Sequence, residues 1–161
     1  MNKHEIHRHF IELITSELES LTAAAKNSAS MATHEAHRAE SKYDTFSLES
    51  SYLARGQSMR IAELTRALQR FQALPLTELK GEDTPICLGT LIRLETPDGE
   101  KRTLFFGPAA GGEKIDAEGE EVVMITACAP LGQALLGKTK GNTFEFKMGK
   151  TTHAFKVVSV E

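Results

Sequence analysis

The sequence predicts an α+β protein in which two long helices precede a small sheet domain with one short helix. Apolar residues recur at steps of three and four in the first half, which is the period of a helix, and alternate in the second half, which is the period of a strand. The distribution of helix-breaking residues changes at the same place. Gly56 is the only glycine before Pro75, whereas the other eleven glycines and every proline lie from Pro75 onward.

The composition excludes several classes of protein. The chain has 161 residues, 40% hydrophobic and 25% charged, which is an ordinary globular balance. A net charge of −3 argues against nucleic-acid binding by bulk charge. Two cysteines, Cys87 and Cys128, favour a reduced, cytoplasmic protein over a disulfide framework. We expect no signal peptide at the polar, His-rich start and no membrane span, because no apolar run approaches about 18 residues.

The first two elements are predicted to pair as an antiparallel coiled-coil hairpin over residues 1–75, with its tip at about 39–47. Each helix has a narrow apolar stripe and a polar opposite face, which is typical of helices that bury a seam on each other. The stripes are Ile6, Phe10, Leu13, Ile14, Leu18 and Leu21 on the first helix, and Leu48, Tyr52, Ile61, Leu64, Leu68 and Phe71 on the second. A helix of about 32 residues spans ~48 Å, so the tip is expected to extend beyond the cover of a small domain.

Residues 76–83 are predicted to be a linker, and residues 84–161 a domain built on an antiparallel sheet. The strand candidates are residues 86–95, 101–106, 122–127, 142–148 and 152–160. Asp98-Gly99 lies between the first two and is a strong hairpin signal. Pro130 in a first helical turn and the terminating Gly137 predict one short helix after the third strand.

The predicted hairpin tip, AESKYDTFS at residues 39–47, carries two carboxylates. In one interpretation Asp44 or Thr45 caps the second helix and Glu40 is a solvated helix end. In the other, the two acids have a function at the tip and are supported by Lys42 and Tyr43, which lie between them.

Three stretches resemble the bacterial Gre transcript-cleavage factors. The most specific is VVMITACAPLGQALLGKTKGNTFEF at residues 122–146, accompanied by RIAEL at 60–64 and LETPDGE at 94–100. The resemblance implies an FKBP-like C-terminal domain that docks at the rim of the RNA polymerase secondary channel. The docking residues carried over are Pro130, Leu131, Gly132 and Lys138.

The resemblance also implies a role for the tip. Glu40 and Asp44 would reach the polymerase active site and help to hold its second Mg²⁺, so that the polymerase cleaves its own backtracked RNA. The factor would then contact the RNA 3′ end only indirectly, act as a monomer, and need neither a catalytic site nor a cofactor of its own.

The tip departs from the family pattern of Asp-x-x-Glu, because the acids come in the opposite order and one residue further apart. Lys42 lies between them and could neutralise one acid. A channel binder that inhibits therefore stays open, as does a coiled-coil scaffold. Prolyl isomerase activity is disfavoured, since residues 84–161 contain no Trp or Tyr for an aromatic pocket.

The start of the short helix and the arginines of the second helix give two further predictions. Cys128-Ala129 stands where the family has Asn-Ser, so the short helix should lack a hydroxyl cap. Arg55, Arg66 and Arg70 share one face of the second helix and either touch RNA phosphate or form a solvated face.

Overall fold

The computed structural model describes residues 2–36, 45–76, 78 and 83–161. It contains three α-helices and six β-strands in these residues. The helices are α1 (Lys3–Ala36), α2 (Thr45–Gln72) and α3 (Pro130–Leu135). The strands are β1 (Leu91–Glu95), β2 (Lys101–Phe106), β3 (Lys114–Ala117), β4 (Glu120–Ile125), β5 (Thr143–Met148) and β6 (Thr151–Val160). The predicted α+β class, a helical hairpin followed by a sheet domain, is confirmed.

The chain divides into two compact units, and one of them is Glu12–Gln69. Its apolar seam contains Ile14 on α1 with Leu64 and Ala67 on α2, all buried. Arg60 donates from Nη2 to Glu17 Oε1 at 2.7 Å and so links the two helices. Both side chains are substantially exposed, and we expect such a pair to add little stability.

Tyr52 was predicted to lie on the seam of α2, and this prediction is wrong. Tyr52 is 68% exposed, and Leu53 and Met59 of the same helix are 63% and 58% exposed. The reason is helical geometry: each residue turns the helix by about 100°, so the nine residues from Tyr52 to Ile61 place the two on opposite faces.

The other compact unit is Met1–Ile11 together with Arg70–Glu161. Its sheet has the strand order β3-β4-β2-β1-β6-β5. All neighbouring strands are antiparallel except β2 and β4, which pair in parallel from Thr103 opposite Val122 to Phe106 opposite Ile125. The prediction of a purely antiparallel sheet therefore fails at this one pair, and it also missed β3, which the chain inserts between β2 and β4.

One face of this sheet packs against α3. Its core cluster contains Ile86, Ile92, Leu94, Leu104, Phe106, Leu135, Phe155 and Val157. The half-buried Phe144 and Phe146 pack against the cluster, as expected for core residues that alternate along a strand.

The opposite face of the same sheet is covered by the helix segments that belong to this unit. The ring of Phe10 lies 5.9 Å from that of Phe105 and 6.5 Å from that of Phe71, centroid to centroid. His7 Nε2 lies 2.9 Å from the carbonyl oxygen of Phe71, which is one of the carbonyls that a helix C-terminus leaves without an intrahelical partner. The start of α1 and the end of α2 therefore belong to the sheet's hydrophobic core. The division into residues 1–75, 76–83 and 84–161 stays a prediction.

Candidate functional site

The turn from β4 into α3 carries the predicted docking residues. Ala129 is the N-cap, with extended backbone angles and no side-chain cap hydrogen bond, and Pro130 follows in the first turn. The missing cap is what the Cys128-Ala129 pair predicts. Backbone bonds hold the turn instead, since Ala129 N donates to Thr126 O at 3.0 Å and Gln133 N to Ala129 O at 2.9 Å.

Gly132 determines how closely α3 approaches β4. It is buried, and a Cβ at this position would overlap the backbone carbonyl of Thr126. Only glycine therefore fits without a shift of the helix. Gly132 therefore sets the shape of the turn that carries Pro130 and Leu131.

The end of α3 is anchored to the segment before β1. Gly137 has a φ of +77°, as expected of the glycine that follows a helix. Its N–H donates to the carbonyl of Ile86 at 2.9 Å, and Ile86 N donates to Lys138 O at 2.8 Å. Lys138 is half-buried, with Nζ 5.4 Å from the ring centroid of Phe144, a cation–π contact that limits where its charge can reach.

The accessible part of the site is Pro130 and the groove beside it. Pro130 is exposed, and Leu131 is half-buried at the edge of a groove of about 480 Å³. The groove also contains the apolar Leu104, Val123 and Ile125 and the charged Glu100, Lys101, Arg102, Lys114, Glu120 and Glu121. An apolar floor with a charged rim suits the binding of another protein's surface.

The charged rim of this groove comes from separate parts of the chain and was not predicted. Lys101 and Arg102 begin β2, whereas Lys114 and Glu121 come from the β3–β4 hairpin. The parallel pairing of β2 with β4 brings them to one groove. No local signal in the sequence marks that pairing.

Seven further site residues were predicted on the helical hairpin. Glu40, Lys42, Tyr43 and Asp44 lie outside the described residues. Arg55, Arg66 and Arg70 are all exposed on α2, which is compatible with both an RNA contact and a solvated face.

The described part of the chain contains neither a cluster of metal-binding side chains nor a membrane-spanning helix. Among residues 2–36, 45–76, 78 and 83–161, no three His, Cys, Asp or Glu side chains are placed to hold a metal ion. In the same ranges, no helix combines the length and hydropathy needed to cross a membrane.

The sheet domain is similar to a family of known proteins. Residues 86–161 match the family model described as "Transcription elongation factor, GreA/GreB, C-term". The chain is 32% identical over 102 residues to the transcription elongation factor GreA of Bradyrhizobium sp. (strain BTAi1), and the match covers 63% of this chain and 60% of that protein. GreA of Bradyrhizobium diazoefficiens is 31% identical over 102 residues, with the same two shares. The chain thus matches less than two thirds of the length of these relatives.

Among solved structures, the chain is similar to GreA factor homolog 1 (Gfh1) of Thermus thermophilus. The two are 20% identical, the match covers 94% of each chain, and the TM-score is 0.41. The family model spans β1 to β6 together with α3, and the curated relatives match over more residues than the model does. Residues 86–161 are therefore similar to the C-terminal domain of the GreA/GreB transcription elongation factors.

Proposed function

We propose that this protein regulates transcription elongation by binding RNA polymerase through the secondary channel. The sheet domain docks at the rim of the channel, and the hairpin tip reaches the polymerase active site. The observation that carries the proposal is the family match over the whole sheet domain, which includes the turn that exposes Pro130 beside an apolar groove.

The proposed chemistry belongs to the polymerase, and the factor acts without a catalytic site of its own. Glu40 and Asp44 would hold a Mg²⁺ shared with the polymerase, since two carboxylates are the donor type that this hard cation prefers. When bound, a second metal ion activates water and stabilises the leaving oxygen in phosphodiester cleavage. The factor would thereby promote cleavage of backtracked RNA. Within the channel, RNA phosphate could be contacted by Arg55, Arg66 and Arg70.

A channel binder that inhibits is the second candidate. The reversed order of the tip acids and the intervening Lys42 favour it, because metal-assisted chemistry tolerates a misplacement of only about 0.5 Å. The two candidates share the docking step and differ in what the tip does.

Cleavage of end-labelled RNA in a backtracked polymerase complex tests the role of the tip. We expect the wild-type protein to shorten the RNA and a Glu40→Ala, Asp44→Ala double variant to bind without shortening it. Slower extension by the wild type, without cleavage, would identify the inhibitor. If the protein neither binds nor alters transcription at micromolar concentration, the polymerase proposal fails and a scaffold remains.

Binding measured separately tests the docking surface. Pro130→Glu should weaken polymerase binding about tenfold or more, because a charge replaces an exposed apolar contact. Glu is well tolerated in a first helical turn, so α3 should stay intact. Gln133→Ala changes an exposed neighbour on α3 and should bind as the wild type does. Equal binding by all three proteins would place docking elsewhere.

A further inference from the structure

The outer edge of β5 is a surface that the proposed function does not use. The strand order places β5 at one end of the sheet, where its neighbour is β6. Val157 N donates to Asn142 O at 2.9 Å, and the register continues from Thr143 opposite Lys156 to Met148 opposite Thr151. In an antiparallel ladder alternate residues bond to the same neighbour, so residues 144 and 146 bond to β6.

The residues that alternate with residues 144 and 146 therefore point their backbone N–H and C=O groups away from the sheet. These residues are Thr143, Glu145 and Lys147. Among the described residues, no strand pairs with this side of β5. An unpaired edge of this kind is a template for another strand.

The side chains along this edge carry opposite charges. Glu145 and Lys147 are exposed and flank the half-buried Phe146. Their cross-strand partners on β6 are the uncharged Ala154 and Thr152. Within the described part of the chain, the side chains of Glu145 and Lys147 make no hydrogen bond or ion pair. Neither charge therefore has an opposite charge directly across from it on β6.

We propose that β5 pairs with β5 of a second copy of this chain, antiparallel about a two-fold axis at Phe146. In that register Glu145 lies opposite Lys147 of the second copy, and Lys147 lies opposite Glu145 of the second copy. Both pairs consist of residues whose backbone groups point outward, so each pair can exchange two backbone hydrogen bonds. A two-fold axis makes the contact isologous and closed, so the assembly stops at a dimer.

The alternative registers are less favourable. If the register shifts by an odd number of residues, a residue whose backbone groups point outward lies opposite one whose backbone groups point toward β6. The backbone hydrogen bonds between the two copies are then lost. An axis at Glu145 or at Lys147 sets identical charges directly opposite each other, which destabilises a strand pair. An axis at Phe146 is the one that combines hydrogen bonding with two opposite-charge pairs.

The other edge of the sheet is a poorer candidate. β3 has only four residues, Lys114–Ala117. Lys114 Nζ donates to Glu121 Oε1 at 3.0 Å, and Asp116 Oδ1 accepts from Gly119 N at 3.0 Å. Its charged side chains are therefore already paired within the same hairpin.

A contact of one short strand from each copy is small, so we expect a weak dimer that dissociates on dilution. The monomer that the family resemblance implies would then be the form present at low concentration. The dimer does not depend on polymerase binding, and its test contains no polymerase.

Sedimentation velocity over a range from about 1 µM to about 1 mM measures the dimer directly. Wild-type protein should shift from monomer to dimer as the concentration rises. Glu145→Lys and Lys147→Glu each set like charges opposite, so each should weaken the dimer about tenfold or more. An equimolar mixture of the two variants should form a heterodimer, because one copy supplies two positive charges and the other two negative ones.

Lys26→Glu is the control for Lys147→Glu, since it makes the same charge change at an exposed position of α1, outside the sheet. It should dimerise as the wild type does, and circular dichroism should show every variant to be folded. A wild-type protein that is monomeric throughout overturns the proposal. A dimer that neither variant weakens, or a mixture that stays monomeric, overturns the register.

Discussion

Gly132 shows how one residue shapes the turn from β4 into α3. The first turn of α3 crosses the end of β4 so closely that a side chain at this position would meet the carbonyl of Thr126. A backbone carbonyl cannot rotate away as a flexible side chain can. Any larger residue therefore has to move α3, together with Pro130 and Leu131.

We expect Gly132→Ala to lower the free energy of unfolding of the sheet domain by about 1–3 kcal/mol, the usual cost of overpacking. Chemical denaturation followed by circular dichroism measures this change. Gln133→Ala, at the adjacent exposed position, should stay within about 0.5 kcal/mol of the wild type. Equal stability of the two variants would mean that α3 does not need its close approach to β4.

Among the elements, α2 differs most from its sequence prediction. Among the α2 residues whose burial is described in the unit Glu12–Gln69, Leu64 and Ala67 are buried, whereas Tyr52, Leu53 and Met59 are exposed. Gly56 lies in the same exposed stretch, and no atom of the described residues lies within 4 Å of where its Cβ would be. Here α2 has no packing reason to keep a glycine.

Gly56→Ala should therefore stabilise the hairpin by about 1 kcal/mol, the difference in helix propensity between the two residues. Thermal denaturation of the full chain measures it. Ala54→Gly makes the reverse change at a nearby exposed position and should destabilise by a similar amount. If the two variants shift stability in the same direction, helix propensity is not what controls this segment.

At the scale of the whole molecule, the sheet domain depends on residues that are remote in sequence. Phe10 is fully buried, and its ring lies against Phe105 of β2 and Phe71 at the end of α2. The compact unit is Met1–Ile11 with Arg70–Glu161. The sheet therefore has a core to which both ends of the helical hairpin contribute.

Phe10→Ala should lower the free energy of unfolding by about 3–5 kcal/mol, the usual cost of removing a buried Phe side chain. Hydrogen exchange of the β2 amides should report the loss, although the substitution is in α1. Met59→Ala, at an exposed position of α2, should change the free energy of exchange of those amides by no more than about 0.5 kcal/mol. Unchanged β2 protection in the Phe10 variant would show that the sheet folds without the start of α1.

The sequence by itself determined the elements and most of their order. The apolar period of α1, the Asp98-Gly99 turn between β1 and β2, and the Pro130 and Gly137 that bound α3 are local signals that act within a few residues. Lys101–Phe106 was predicted at its observed bounds. The short β3 was missed because its sequence, Lys-Ile-Asp-Ala, has a single large apolar residue and no clear alternation.

Only the tertiary structure decided which elements meet. Periodicity shows which face of an element is apolar, but it does not say what covers that face. The parallel pairing of β2 with β4, the groove beside Leu131, and the burial of Phe10 and Phe71 against Phe105 all join residues that are distant in the chain. Such contacts are selected by the packing of the whole core, because burial of apolar surface is non-directional and any apolar face of suitable size can satisfy it.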